Sequence, residues 1–511
     1  MTGLEGWLKR LGESPFALAA LLALALGVRL YAVYHARFDR DEAATWEIAL
    51  QIARGERFPT VGPGISRSDA GTPGPLFFYL MALPQLVTAH PLAGGTFVAL
   101  LNVGALALIF LAYRGGWDAA AATAWLVTSV CSPWSVVAAD RAWTPNLFVP
   151  MCAIVLWSAV RMGRVPESRA AAALAFTLLA GFQIHLPALY LWPLALTALA
   201  VLRPRINRRW LAAGALAGIV SYLPYLAHEL ATGFENTRLL VTRGAAGTLS
   251  LGTAAGLVYL WLSMATTDVS FLVAQGYWGG FDAAAFWTQD GLARTATFYG
   301  SGQGAALLFA VQAAGWVLLG GGLVWLARHR RAHEEGEGRL FPCLFAAALG
   351  SILLLYLATR RGGFAHYVSL LAPLASVPLL ASLRALARRR AGAVAAAAYL
   401  VAAPVAGLFL VIAFYRLDSR QSIPQQERIV KYVVEQSGGR PFELAFDMPE
   451  GRSVTYGTLA RRLLGARWPA SVRARDVFTV VPREALAAAR PPGRVASTLT
   501  LDSLAVVHSQ R

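Results

Sequence analysis

Asp39, Asp41 and Glu42 lie within one turn's length of each other in FDRDEAATWE, residues 38–47. The stretch follows a long apolar run, residues 16–34. An adjacent Asp–Glu pair at the edge of such a run can divide labour. One carboxylate takes a proton from an attacking hydroxyl, and the other orients the acceptor or a neighbouring Arg. The bland alternative is helix capping, because carboxylates favour helix N-termini. One cap needs one side chain, so capping accounts for Asp39 better than for the Asp41–Glu42 pair. Arg40 favours an ionised Asp41, while partial burial works against it.

Further along, DRAWTP (140–145) offers Asp140 and Arg141, with Asn146 next. These support a reaction or simply pair with each other. His185 stands in QIHLPAL (183–189), where a lone His beside apolar residues usually packs. No second His lies at ligand spacing, so a metal role is not expected for it. Arg360, Arg361, His366 and Tyr367 fall in RRGGFAHY (360–367). Arg stays charged and grips phosphate with two parallel bonds, so this cluster is a candidate phosphate site. An Arg pair at headgroup level is the plainer reading. His228, Glu229, Asn236, Arg238 and Arg243 read best as a solvated loop. GTPGPLFFYL (71–80) fixes a tight turn ahead of an aromatic-rich helix. Cys131, Cys152 and Cys343 sit in or beside apolar runs without metal spacing and read as small buried hydrophobes. There is no phosphate-binding Gly loop, nucleophile elbow or dinucleotide fingerprint.

Positioning these groups falls to a membrane scaffold. The 511 residues are 57% hydrophobic and 14% charged, against about 25% charged in soluble domains. The expected class is an all-α polytopic membrane protein with a small C-terminal extracytoplasmic α/β domain. Eleven spans are expected, near 16–36, 93–113, 118–138, 145–161, 169–185, 187–203, 209–228, 304–327, 340–359, 365–384 and 392–415. Prolines in the 145–161 and 187–203 spans predict breaks or tilts. The net charge is +17, and every basic residue except Lys9 and Lys431 is Arg. The arginines cluster at 161–169, 203–209, 328–339 and 384–390. With eleven spans all clusters fall on one side, the positive-inside pattern rather than a nucleic-acid footprint. The N-terminus is then cytoplasmic, in a retained first span rather than a cleaved signal. The C-terminus is outside. The acidic and His-containing loops, including 37–92 and 229–303, face out.

Stretches 75–90 and 254–275 break this pattern if each crosses once, so interfacial or re-entrant helices are expected. Residues 41–54 read as an amphipathic helix on the membrane surface, with Trp46 at headgroup depth. After residue 416 the composition turns soluble. Strands at 441–446 and 476–481 and a helix at 456–465 give a domain over 416–511, beside a membrane domain over 1–415.

The order of these features resembles the GT-C-type glycosyltransferases. The nearest likeness is to the bacterial family 39 relatives of protein O-mannosyltransferases and lipid A aminoarabinose transferases. It rests on DEAATWEIALQIARGE (41–56), GTPGPLFFYLMALP (71–84), DRAWTPNLFVP (140–150), GFQIHLPALYLWP (181–193), YLPYLAHELATGFENT (222–237) and FAHYVSLLAPL (364–374). The resemblance covers residues 15–415. It implies transfer of a hexosyl or pentosyl group, with inversion, from a polyprenyl-phosphate donor to an acceptor on the outer face of a bacterial plasma membrane. It implies Asp41 as catalytic base, with Glu42 as its helper and Asp140 as a second carboxylate. Arg360, Arg361, His366 and Tyr367 would hold the donor phosphate, and His185, Arg141 and Asn146 would contact donor or acceptor. The sequence departs from the pattern in two places. Gly71 and Thr72 stand where many relatives carry Lys or His, and Asn146 stands where many carry Asp.

The lipid-linked sugar is a co-substrate, and no resident cofactor is implied. The sugar, the glycan, lipid or protein acceptor, divalent metal and oligomeric state are left open. A transporter or lipid flippase is the rival class, and an envelope assembly protein working through its tail is a third. Transporters often carry internal repeats, and this sequence has none.

Overall fold

The computed structural model describes residues 3–65, 69–242, 250–276, 289–300, 303–329, 337–359, 365–418, 421–446, 454–465, 468, 474–489, 491–501 and 503–510. Among these, six helices are long and apolar enough to cross a membrane: Pro15–His35, Leu92–Gly116, Thr144–Arg164, Gly304–Arg328, Ala365–Ala387 and Arg390–Arg416. A bent pair, Arg208–Val220 with Leu223–Thr232, adds a seventh if counted as one span. The other expected spans are helical but shorter or broken, such as Ala170–Ile184 and Leu186–Leu202. The chain is a membrane protein, and these shorter helices enter any span count only by composition.

The breaks have local causes. Ala119–Val130 stops at Cys131, and the helix resumes over Pro133–Val137. Pro133 lacks an N–H and excludes a continuous helix. Carbonyls orphaned there meet Arg29 of the first span, which is fully buried. Its Nη1 donates to Val130 O at 3.1 Å and Ala25 O at 3.0 Å, and its Nη2 donates to Ser135 Oγ at 2.7 Å. The expected break at Pro150 is absent, since it lies in the first turn of Phe148–Arg164, where its missing N–H has no intrahelical partner to lose. Pro145 and Pro187 instead sit in 3-10 turns, Thr144–Leu147 and Leu186–Tyr190.

Charged loops sort to two ends. At one end Arg384 pairs with Asp118 at 2.8 Å, and Arg169 lies 5.2 Å over the Trp210 ring. Glu42, Asp140, His185 and His366 gather at the other end. Of the two irregular stretches, 75–90 forms a single short helix, Leu76–Gln85, about 15 Å long against a hydrocarbon core of about 30 Å. The 254–275 stretch forms two helices, Leu251–Ser263 and Ser270–Gln275, with Thr266, Thr267 and Asp268 buried at the turn.

The C-terminal part holds a four-stranded sheet: β1 (Phe442–Phe446), β2 (Asp476–Pro482), β3 (Arg494–Thr500) and β4 (Leu504–Gln510). Their order is β1-β2-β4-β3, with β1 parallel to β2 and the remaining pairs antiparallel. Helices Ile423–Ser437 and Val454–Leu464 belong to the same unit. The amphipathic helix is present as Arg40–Ala53, but Trp46 does not sit in headgroups. It is 3% exposed, and its indole donates to Ala89 O at 3.0 Å. The apolar face around it packs into the core of the C-terminal unit, which replaces lipid as its partner.

Candidate active site

The Arg40–Ala53 helix begins at Asp39, whose extended backbone makes it the N-cap. Asp39 Oδ1 accepts from the Asp41 N–H at 3.2 Å, and Glu42 Oε2 accepts from the Asp39 N–H at 3.2 Å. This closes a capping box, so Asp39 and Glu42 share the capping work. The adjacent pair is thereby divided. Asp41 is exposed on the first turn. Glu42 is 5% exposed and faces Arg141, whose Nη1 lies 3.5 Å from its Oε1.

Burial raises the Glu42 pKa well above the ordinary carboxylate value, and the negative charge of Asp39 adds to this while Arg141 opposes it. Burial would also raise Asp39. The hydrogen bond with Glu42 and the charges of Arg141 and Arg37 outweigh that and hold Asp39 below its ordinary value. The two carboxyls are thus pushed in opposite directions, Glu42 up and Asp39 down.

Asp140 and Arg141 follow the short Pro133–Val137 helix that Arg29 fixes. Arg141 grips its own neighbour with two parallel bonds, Nε to Oδ1 at 2.8 Å and Nη2 to Oδ2 at 2.9 Å. Tyr415, at the end of the last span, donates to Asp140 Oδ2 at 2.7 Å. Asn146 Nδ2 donates to Asp140 Oδ1 at 3.2 Å and to Arg141 O at 3.3 Å. Both oxygens of Asp140 are therefore engaged. Asn146 completes the cluster as the neutral donor an Asp could not be. A cleft beside this cluster is lined by Arg37, Glu42, Trp46, Gln85, Asp140 and Arg141.

Trp143, two residues past Arg141, leads to a second group. Its ring meets His366 edge-on at 4.7 Å, and His366 meets Tyr367 at 4.5 Å. His185 caps the end of Ala170–Ile184 in extended backbone and lies 5.6 Å from Tyr367, 6.2 Å from His366 and 5.3 Å from Phe148. Its Nδ1 has no hydrogen-bond partner among the described residues. Asp41, Glu42, Asp140, Arg141, Asn146, His185, His366 and Tyr367 thus share one end of the bundle. Arg360 and Arg361 lie outside the described residues, as does Arg243. No group of three or more His, Cys, Asp or Glu is arranged to hold a metal ion among the described residues.

The turn at 71–75 is clamped from the far side. Asn236 accepts from Gly71 N–H at 2.7 Å and donates to Gly71 O at 3.1 Å, so it is a buried clamp rather than a solvated residue. Gly74 has φ +116°, and the Gln183 side chain occupies the space a Cβ would need. Sequence reasoning missed Tyr415, Arg29 and Gln183. An Arg inside an apolar run was the one available signal, since such residues are costly in a bilayer.

Over nearly its whole length the chain shares a GT-C-type fold with a solved structure. It aligns with ArnT from Cupriavidus metallidurans bound to undecaprenyl phosphate at 13% identity and a TM-score of 0.52, covering 97% of this chain and 98% of that one. The apo state of the same protein aligns at 12% identity and 0.52, covering 96% and 97%. At this identity the likeness is one of fold. No family model and no curated protein matches the sequence.

Proposed function

We propose that this chain is an inverting membrane glycosyltransferase that moves a sugar from a polyprenyl phosphate to an acceptor on the extracytoplasmic face. The observation that carries the reading is the division of the carboxylate pair. Glu42 is locked by Arg141 and the cap, while Asp41 stays exposed on a rigid first turn. The undecaprenyl phosphate bound to the ArnT structure of the same fold supports a lipid-phosphate donor. The gathering of basic loops at one end supports eleven spans, with the N-terminus cytoplasmic and the site outside.

In this mechanism Asp41 takes the proton of the acceptor hydroxyl as its oxygen attacks the anomeric carbon. The bond from that carbon to the phosphate oxygen breaks, and polyprenyl phosphate leaves with the electron pair. Arg360 and Arg361, with His366 and Tyr367, receive the growing charge on the phosphate. Asp140, Asn146 and Tyr415 hold Arg141, which holds Glu42 and so the first turn of the base helix.

The test uses protein reconstituted in lipid, a panel of polyprenyl-phosphate sugars and envelope extract as acceptor. Free polyprenyl phosphate is followed by mass spectrometry. Wild type releases it, and Asp41→Asn releases it about 10²–10⁴-fold more slowly. Equal release by both removes Asp41 from the chemistry. No release from any donor by folded wild type overturns the glycosyltransferase reading in favour of a transporter or assembly protein.

A further inference from the structure

The helix that carries Asp41 belongs to two cores. Ala49 packs into the membrane bundle, whereas Phe38, Ala43, Trp46 and Leu50 pack with the C-terminal unit. The link from the first span to this helix also pairs with that unit. Phe38 N–H donates to Gln421 O at 2.9 Å, and Arg37 and Ser422 form an antiparallel bridge. Outlying contacts, the His90 ring with Glu427 at 2.8 Å and the ion pair of Arg462 with Glu47 at 2.9 Å, are partly exposed and contribute little.

One buried side chain ties these pieces together. Gln426 on the Ile423–Ser437 helix is fully buried. Its Nε2 donates to Phe38 O and to Gln421 O, both at 2.7 Å, and its Oε1 accepts from Thr455 Oγ1 at 2.7 Å. All the polar atoms of its amide are engaged, so no shorter or apolar side chain can replace it without orphaning a buried group. Phe38 O immediately precedes Asp39, the cap of the base helix.

We propose that Gln426 is a positioning residue for Asp41: the C-terminal unit sets the entry angle of the base helix by holding the carbonyl just before its cap. This rests on the reading of Asp41 given above. A misplacement of about 1 Å far from the chemistry can cost about 10²-fold in rate. Loss of Gln426 therefore acts on turnover, because His366 and Tyr367, the described donor-phosphate candidates, lie on another element.

The experiment compares full-length wild type, Gln426→Leu and Thr455→Val in lipid, by two readouts. Hydrogen exchange at the 39–45 amides needs no activity. It is expected to accelerate in Gln426→Leu, and less in Thr455→Val, with the bundle unchanged. In the release assay kcat is expected to fall roughly ten- to hundred-fold for Gln426→Leu, with the donor KM within about twofold of wild type. Thr455→Val keeps the amide and gives a smaller fall, which covers a failure of Gln426→Leu to fold. Unchanged exchange at 39–45 in a folded variant overturns the proposal, as does a rise in donor KM at constant kcat. Absence of release by wild type sinks the transfer reaction instead, and the exchange data still decide whether Gln426 sets this helix.

Discussion

Tyr415 and Asp140 are 275 residues apart in sequence and 2.7 Å apart in space. The last span thus reaches the loop that holds Arg141. Tyr415→Phe removes the donor and leaves Asp140 with Arg141 and Asn146. The expected loss is about 1.5–3 kcal/mol, the range for a hydrogen bond to a charged group. Thermal unfolding in lipid measures it, and the release assay should show a parallel fall in turnover.

Arg141 faces two buried carboxylates, and its replacements should rank by what they leave behind. Arg141→Met strands Glu42 and Asp140, a loss of about 3–5 kcal/mol. Arg141→Lys keeps the charge but not the paired donors, and should fall between Met and wild type. The yield of monodisperse protein and its unfolding temperature check the order.

Asp39 and Glu42 should give opposite pH signatures. Glu42 is raised above its ordinary 4.5, so its contribution is full below that value and is lost as pH rises through the folded pKa. Asp39 is lowered below 3.8, so its contribution is full above that value and is lost as pH falls through the folded pKa. The stability advantage of wild type over Glu42→Gln should therefore shrink with rising pH. The advantage over Asp39→Asn should grow. Unfolding temperatures from acid to neutral pH test both slopes.

Gly74→Ala places a side chain at φ +116° and against Gln183. The cost should exceed about 1 kcal/mol. Faster proteolysis within 57–75, with the bundle intact, would report it.

Helical spacing made the Arg40–Ala53 helix legible in the sequence, and turn residues with alternation gave β1, β2 and the helix near 456. The partner of the helix was not legible. Trp46 presents the same pattern whether its apolar face meets lipid or a domain nearly 400 residues later. Capping chemistry identified Asp39, yet which of Asp41 and Glu42 turns inward depends on where Arg141 stands. Tyr415 looked like any aromatic at a span end, because its partner is fixed only by the fold. Strand β3 was missed because its mostly exposed residues over 494–500 carry little apolar signal, whereas β4 was missed although its short apolar run Leu504–Val507 is buried.

Arg29 has a consequence for how the protein is made. Its distant partners, Val130 and Ser135, lie more than a hundred residues further along the chain. During synthesis the first span must enter the bilayer before they exist. An Arg at the centre of a span adds about 2.5–3.5 kcal/mol to insertion, and Arg29, six residues from the end of Pro15–His35, adds somewhat less. The residence of that span in lipid is provisional until the 119–137 segment arrives to receive the guanidinium, so the order of synthesis is also an order of commitment.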